Sequence, residues 1–211
     1  MTNGKIDLLV NAVSRKVHRA FVMDRRDRIL AWHIQSLLPE AGTVLDVGCG
    51  TGKLSRLVQE IKPGIMIQGI DILERQESHI PVDIYDGKKI PFANESFDFV
   101  MFIDVLHHTV DPFSLIHEAN RVSSKFLVIK DHLSDGWLGC KILTLMDWVG
   151  NRHEGVSLPY NYYSSNQWLD VWRRIGAYPD KSIVRLNLYP FPFNTLFERS
   201  LHFIVRVPKS N

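Results

Sequence analysis

Cysteine is scarce in this sequence, and no pattern of metal ligands accompanies it. Only Cys49 and Cys140 occur among 211 residues. Two isolated thiols fit a reducing compartment better than a disulfide-stabilised secreted fold, so we expect a cytoplasmic protein. Because no stretch has the ligand spacing typical of zinc or iron sites, the sequence predicts no bound metal.

Long apolar runs and an excess of charge of either sign are also absent. No stretch reaches the roughly 18 apolar residues that a membrane-spanning helix needs. The N-terminus MTNGKIDLLV lacks the apolar core of a signal peptide. The 25 basic and 23 acidic residues give a formal net charge of +2, too balanced to indicate binding to nucleic acid. We expect no membrane span, no nucleic acid and a small-molecule partner, and the oligomeric state is left open.

Linkers, repeats and low-complexity tracts are missing as well, which predicts a single domain over residues 1–211. What the sequence does contain is an alternation of short apolar runs with helical stretches. Strands are predicted over residues 43–47, 65–70, 97–103 and 126–130, and helices over 27–38 and 53–61. Such alternation is typical of right-handed βαβ crossovers. It predicts an α/β fold built on a Rossmann-like, doubly wound sheet.

A glycine-rich turn, GCGTG at residues 48–52, follows the first predicted strand. Glycines permit positive φ and let a ligand lie against the bare backbone. Asp71 follows the first glycine by 23 residues, about where nucleotide-binding units place a ribose-binding acid. The spacing G-x-G-x-G departs from the dinucleotide fingerprint G-x-G-x-x-G, which disfavours NAD. Asp83 and Asp86 are predicted to follow the third strand; the alternatives are a surface acid for Asp71 and an Asp-Gly turn for Asp86.

Residues 40–132 resemble the class I S-adenosylmethionine (SAM)-dependent methyltransferases, in particular the methyltransferase type 11 group. The motifs are VLDVGCGTG at 44–52, GIDI at 69–72, IPFANESFDFV at 90–100, VLHH at 105–108 and the helix end Glu118-x-x-Arg121-Val122. The resemblance implies about seven strands, mostly parallel. The runs 182–188 and 199–207 match the family's antiparallel C-terminal hairpin. It also implies SAM as the cofactor and S-adenosylhomocysteine as the product.

The resemblance further implies which residues bind the cofactor. Those expected at the methionine end of SAM are Asp46, Gly48, Cys49, Gly50, Ile103 and Asp104. Those expected at the ribose and adenine are Asp71, Ile72, Asp86 and Gly87. Asp71 would accept hydrogen bonds from both ribose hydroxyls, and Ile72 would pack on the adenine.

Two departures from the family pattern bear on this site. Only 15 residues separate Asp71 from Asp86, so the helix usual between those strands is expected to shorten to about residues 74–78. The adenine wall should then be more open. Residues 122–126, VSSKF, replace a Lys-Pro-Gly-Gly turn, which we expect on the rim opposite the ligand.

Histidines at the predicted rim are candidates for a general base. Orienting donor and acceptor supplies much of the rate of an in-line methyl transfer, and a base is needed only where the acceptor must lose a proton. A neutral histidine suits that task because its pKa lies near working pH. His132 follows the fifth strand and His107 the fourth, so we predict these two as catalytic residues. Lining the pocket or capping a helix is the alternative for His107 and His108.

Two further segments are expected to shape the acceptor side. Residues 133–168 form an insertion with an apolar run and several aromatic residues, which predicts a cover over the acceptor. A core-packing helix or an amphipathic helix on a membrane surface are its alternatives. Residues 1–40 are predicted to form N-terminal helices, whose basic face is either solvated or part of a lid over SAM.

The sequence therefore predicts an enzyme that moves the methyl group of SAM to an oxygen, nitrogen or carbon atom of a small molecule. A SAM-binding partner or scaffold protein without catalysis is the first alternative. An NAD-dependent oxidoreductase is the second. No motif identifies the acceptor.

Overall fold

The computed structural model describes residues 23–151, 159–191, 193–198 and 201–210. The N-terminal segment predicted as a lid lies largely outside these residues. The strands are β1 (Ala41–Val47), β2 (Gly64–Asp71), β3 (Val82–Ile84), β4 (Phe97–Ile103), β5 (Ser123–His132), β6 (Lys181–Ile183) and β7 (His202–Pro208). The helices are α1 (Asp24–Leu37), α2 (Lys53–Ile61), α3 (Pro112–Val122), α4 (Trp137–Asn151), α5 (Ser165–Ile175) and α6 (Phe193–Phe197), with a 3₁₀ turn at Leu106–His108.

The seven strands form one mixed sheet in the order β3-β2-β1-β4-β5-β7-β6. Strands β1 to β5 run parallel, whereas β7 pairs antiparallel with both β5 and β6. This confirms the predicted Rossmann-like sheet and its antiparallel C-terminal hairpin. Strands β2 and β3 lie on one side of β1, whereas β4 and the later strands lie on its other side. The direction of the strand order therefore reverses at β1. Ligands of doubly wound folds bind at such a switch point, beyond the carboxyl ends of the strands.

Helices cover both faces of this sheet, which explains why its central strands are apolar on both sides. One face packs Leu45, Val100 and Phe102 against α3 and α5. The other packs Val44, Phe99 and Met101 against α1 and α2. The two apolar layers hold the strand ends in fixed positions, and the candidate site is built on those ends.

The connection between β2 and β3 corrects one prediction. Residues 72–81, all of which the structure describes, contain no helix, so the shortened helix expected at 74–78 is wrong. The segment runs irregularly instead, and the backbone N–H of His79 donates to the carbonyl oxygen of Thr51 at 2.8 Å. Ile80 then packs beneath the glycine turn. Asp83 lies within β3 rather than after it, with its exposed carboxylate bound by Gln68.

The predicted insertion contains α4 and leads into α5. Leu143 on the inner side of α4 packs with Tyr162 and Leu201 in a small separate apolar cluster. Trp168 on α5 donates from Nε1 to the carbonyl oxygen of His132 at 3.2 Å. The insertion is thereby fastened to the end of β5. Within the described part of the chain, no helix is long and apolar enough to cross a membrane.

Candidate active site

The glycine turn after β1 is held open by its backbone conformation. Gly48, Gly50 and Gly52 have φ angles of 75°, 58° and 69°, which side-chain-bearing residues rarely adopt. A Cβ on Gly52 would come within 2.3 Å of Ile80, so packing from below also requires glycine there. A Cβ on Gly50 would meet nothing within 4 Å. The turn therefore presents bare backbone to open space, as a bound ligand requires.

A cavity of about 220 Å³ lies against this turn. Among the residues that line it are Asp46, Gly48, Cys49 and Ile103, all predicted at the methionine end of SAM. Asp46 is 4% exposed, and burial raises the pKa of its carboxyl group to about 7, although Ser55 donates a hydrogen bond to Oδ2 at 2.5 Å. Because water solvates this carboxyl group poorly, its ionised form attracts a cationic ligand group strongly. This corner fits the amino group of a bound amino acid.

Asp71, at the end of β2, stabilises the same turn from its other side. Its Oδ2 accepts from the backbone N–H of Gly50 at 2.8 Å, and its Oδ1 accepts from Leu73 N–H at 2.9 Å. Each carboxylate oxygen has a second lone pair, so both can still accept from a ligand hydroxyl. The geometry is compatible with the ribose-binding role predicted for Asp71.

The adenine side of the candidate site is open. Ile72 is exposed, and a Cβ on Gly87 would lie 3.0 Å from its Cγ2 atom, so these two residues adjoin. Asp86 is exposed, and Oδ1 accepts from the backbone N–H groups of Lys88 and Lys89. These bonds lower the pKa of the Asp86 carboxyl group. Asp86 thus forms the Asp-Gly turn considered as its alternative.

A second cavity, of about 500 Å³, lies next to the first. Arg26 and Ile103 line both cavities, so the two meet at these side chains. The second cavity reaches from the ends of β4 and β5 to α4 and α6. Its apolar wall includes Leu145, Met146, Phe193 and Phe197, and its polar wall includes Asp104, His107, Lys130, His132, Asp147 and His202. We name this space the acceptor cavity.

Asp104 forms two ion pairs at the acceptor cavity. Its carboxylate pairs with the guanidinium of Arg26 on α1 and with the ammonium of Lys130 on β5. Burial opposes its ionisation, but Lys130 and then Arg26 hold the pKa of Asp104 well below its usual range. Lys130 is fully buried, and burial lowers its pKa despite this partner. Arg26 is therefore not on a solvated basic face, which corrects that interpretation for this residue.

His132 faces Asp104 from the end of β5. Its Nε2 lies 3.4 Å from Asp104 Oδ1, and its buried Nδ1 has no hydrogen-bond partner among the described residues. Burial, followed by the charge of Lys130, holds the pKa of His132 well below its usual range. The imidazole is therefore neutral at neutral pH.

His107 differs from His132, because neighbouring carboxylates favour its protonated form. Nδ1 lies 2.7 Å from Asp131 Oδ1, and Nε2 lies 3.4 Å from Asp147 Oδ2. Burial disfavours the imidazolium, but the two carboxylates outweigh it and raise the pKa of His107 to about 10. Tyr162 donates to Asp147 Oδ2 at 2.5 Å. The insertion at residues 133–168 thus supplies two side chains to the histidine cluster, and His107 is the charged member of the predicted pair.

The folded chain also gathers possible metal ligands that sequence spacing does not reveal. Ligand atoms of Asp104, His107 and His132 lie within 4.8 Å of one another, as do those of His107, His108 and Asp147. Arg26 and Lys130 already neutralise Asp104, so a cation in the first group would have to displace one of them. The absence of a metal stays a prediction.

Comparison with known proteins identifies the family. A family model described as a methyltransferase domain matches residues 14–181. The chain belongs to this methyltransferase family. The 2-methyl-6-phytyl-1,4-hydroquinone methyltransferase of a Synechocystis species is 28% identical over 172 residues, which cover 74% of this chain and 49% of that protein. The chain spans between about a third and a half of the length of the first curated relatives that it matches.

Solved structures share the fold. A methyltransferase solved in complex with the Trm112 methyltransferase activator of Haloferax volcanii is 16% identical, with a TM-score of 0.66 and 96% of each chain covered. A SAM-dependent methyltransferase of Thermotoga maritima is 21% identical, with a TM-score of 0.63 and 95% and 96% covered. Family and fold confirm the resemblance to class I methyltransferases and imply SAM as the methyl donor. An NAD-dependent oxidoreductase is thereby set aside.

The structure groups the predicted site residues in three places. Asp46, Gly48, Cys49 and Ile103 line the smaller cavity, and Asp71 joins it through Gly50. Ile72, Asp86 and Gly87 form the open rim beside it. Asp104, His107 and His132 line the acceptor cavity. Sequence reasoning missed Lys130 and Asp131, although charged residues at the end of an apolar strand, as in LVIKDH, are a usable signal for a site.

Replacing Asp71 tests the ribose-binding assignment. We expect Asp71→Ala to weaken SAM binding at least about tenfold, because two hydrogen bonds of about 1 kcal/mol or more each are lost. Isothermal titration calorimetry measures the change. Asp83→Ala is the matched control, since that carboxylate is exposed and binds Gln68. Unchanged affinity in a folded Asp71→Ala protein would refute the assignment.

The raised pKa of Asp46 predicts a pH dependence of SAM binding. As the pH rises from 5.5 to 7, the carboxyl group loses its proton and gains attraction for the SAM ammonium, which itself titrates only near pH 8. The dissociation constant should therefore fall about tenfold over this range. In Asp46→Asn the dependence should disappear. An equal slope in both proteins would show that another group is responsible.

Proposed function

We propose that this protein transfers the methyl group of SAM to a hydroxyl group of a small aromatic acceptor. The observation that carries the proposal is the junction of the two cavities at Arg26 and Ile103. A donor bound at the glycine turn and an acceptor bound under the cover would meet there. Holding two reactants in line is the main requirement of methyl transfer.

The residues around the smaller cavity fit SAM. Open space over Gly50, the buried carboxylate of Asp46 and the free lone pairs of Asp71 match its backbone contact, ammonium group and ribose. When bound, SAM supplies an electrophilic methyl group, and S-adenosylhomocysteine remains after transfer. The contributions of the protein are to orient that group toward Ile103 and to exclude water from the junction.

The acceptor cavity supplies a base. We assign His132 as the group that accepts the hydroxyl proton, because it lines the acceptor cavity, is neutral and has an unpartnered ring nitrogen. As oxygen gains the methyl group, its proton moves to the imidazole. Asp104, 3.4 Å from Nε2, stabilises the imidazolium that forms. His107, held between Asp131 and Asp147, acts as a fixed positive charge that favours the deprotonated acceptor oxygen.

The walls of the acceptor cavity favour an aromatic substrate. Leu145, Met146, Phe193 and Phe197 provide flat apolar contact, while the polar groups lie on one side only. By its name, the Synechocystis relative acts on a hydroquinone, which combines an aromatic ring with hydroxyl groups of this kind. We extend that class of acceptor to this protein as part of the proposal.

Radiolabelled SAM with a panel of phenols and hydroquinones tests this function. Label transferred to an oxygen of a panel member supports it. Saturable binding of SAM without transfer to any of them would favour the alternative of a SAM-binding partner protein.

His132 provides a residue-level test. We expect His132→Gln to lower kcat at least about 100-fold, as loss of a general base does, with SAM affinity unchanged. The loss should shrink as the pH approaches the ionisation of a phenolic acceptor, near 10, because the acceptor then needs no base. His117→Gln, on the exposed face of α3, is the control. A loss that is independent of pH would mean that His132 has only a structural role.

A further inference from the structure

Helix α4 is apolar on two faces, of which only one is buried. Leu143 and Asp147 point inward, to the small apolar cluster and to His107. On the outer side, Trp137, Leu138, Leu145 and Trp148 are 72%, 57%, 53% and 48% exposed. Trp137 and Leu138 precede Leu145 by eight and seven residues, and Trp148 follows it by three. At 3.6 residues per turn, this spacing aligns them in one stripe along the helix.

The stripe carries little charge. Lys141 is the one basic residue of α4, and its ammonium lies over the ring of Trp137, 4.8 Å from the centroid. The acidic residue of α4, Asp147, is on the inner side. Large apolar side chains collected in one exposed stripe are unusual on a protein surface and commonly mark a binding surface.

The stripe is continuous with the acceptor cavity. Leu145 and Phe193, the first residue of α6, both line the acceptor cavity. Both are also about half exposed, at 53% and 54%. Helices α4 and α6 contact each other. Leu145 and Phe193 therefore lie at the edge of the acceptor cavity, where its wall meets the outer surface of the protein. Apolar side chains lie on both sides of this edge. We name this place the cavity mouth.

We propose that the acceptor is amphiphilic: its aromatic head occupies the acceptor cavity, and an apolar chain attached to the head leaves through the cavity mouth and lies along the α4 stripe. This rests on the proposed function, which it deepens by naming the acceptor class. The polar groups that bind the head are all inside, whereas the outer path offers mainly apolar contact, with Lys141 as the charged side chain beside it. From Leu145 to Leu138 the helix extends about 10 Å, which is long enough to contact a chain of several carbons.

A tailed series of 2-alkyl-1,4-hydroquinones tests the proposal. Each buried methylene strengthens binding by up to about fourfold, so partial burial of an octyl chain should raise kcat/KM at least about tenfold over the methyl compound. Trp137→Ser and Leu138→Ser, on the stripe but outside the acceptor cavity, should remove most of this gain and leave the rate with the methyl compound unchanged. Leu169→Ser, an exposed leucine on α5, is the matched control. Equal kcat/KM across the series in the wild type would overturn the proposal.

A binding measurement separates this proposal from the reaction itself. Bromoundecanol, whose bromine quenches nearby tryptophans, should quench the fluorescence of Trp137 and Trp148 in the wild type. Quenching should be lost in Leu145→Ser and kept in Leu169→Ser, whether or not any hydroquinone is methylated. Three results would overturn the proposal: no quenching, binding of the stripe to phosphatidylcholine vesicles in the absence of acceptor, or a dimer that Leu145→Ser dissociates.

Discussion

The site depends on one partly buried ionic contact, in which the carboxylate of Asp104 pairs with Arg26 and Lys130. The three side chains come from the end of β4, from α1 and from β5, so the contact fixes three elements at the switch point of the sheet. Lys130 has no access to water, and removing a partner from a buried ion pair typically costs about 3–5 kcal/mol. Arg26 also lines both cavities. The same contact therefore stabilises the strand ends and shapes the junction where methyl transfer is proposed.

On either side of this contact, the proposed donor and acceptor sides are built by different physical means. The donor side uses backbone: positive φ at the glycine turn and the carboxylate of Asp71 on Gly50 N–H form a cradle that needs few side chains. The acceptor side uses charge. Burial and Lys130 keep His132 neutral, whereas Asp131 and Asp147 keep His107 charged, although the two rings lie only 4.6 Å apart. Neighbouring histidines with opposed protonation states are suited to acid–base work.

Local patterns in the sequence predicted the sheet well. Helix α2 occupies the predicted residues 53–61, because the glycine turn defines its start and its apolar spacing is regular. The helix expected at 74–78 is wrong, since an irregular chain lets Ile80 pack under Gly52, a contact between distant residues. For the same reason the apolar pattern of β5 does not reveal the ion pair of Lys130: its partner Asp104 is 26 residues away, and only the fold brings them together.

The central claim is that the glycine turn and its acids bind SAM next to the acceptor cavity. Calorimetric titration of the purified protein with SAM tests it most directly. The account predicts saturable binding of one SAM per chain, with NAD giving no heat under the same conditions. Absence of SAM binding at millimolar concentration, in a protein shown to be folded, would contradict it.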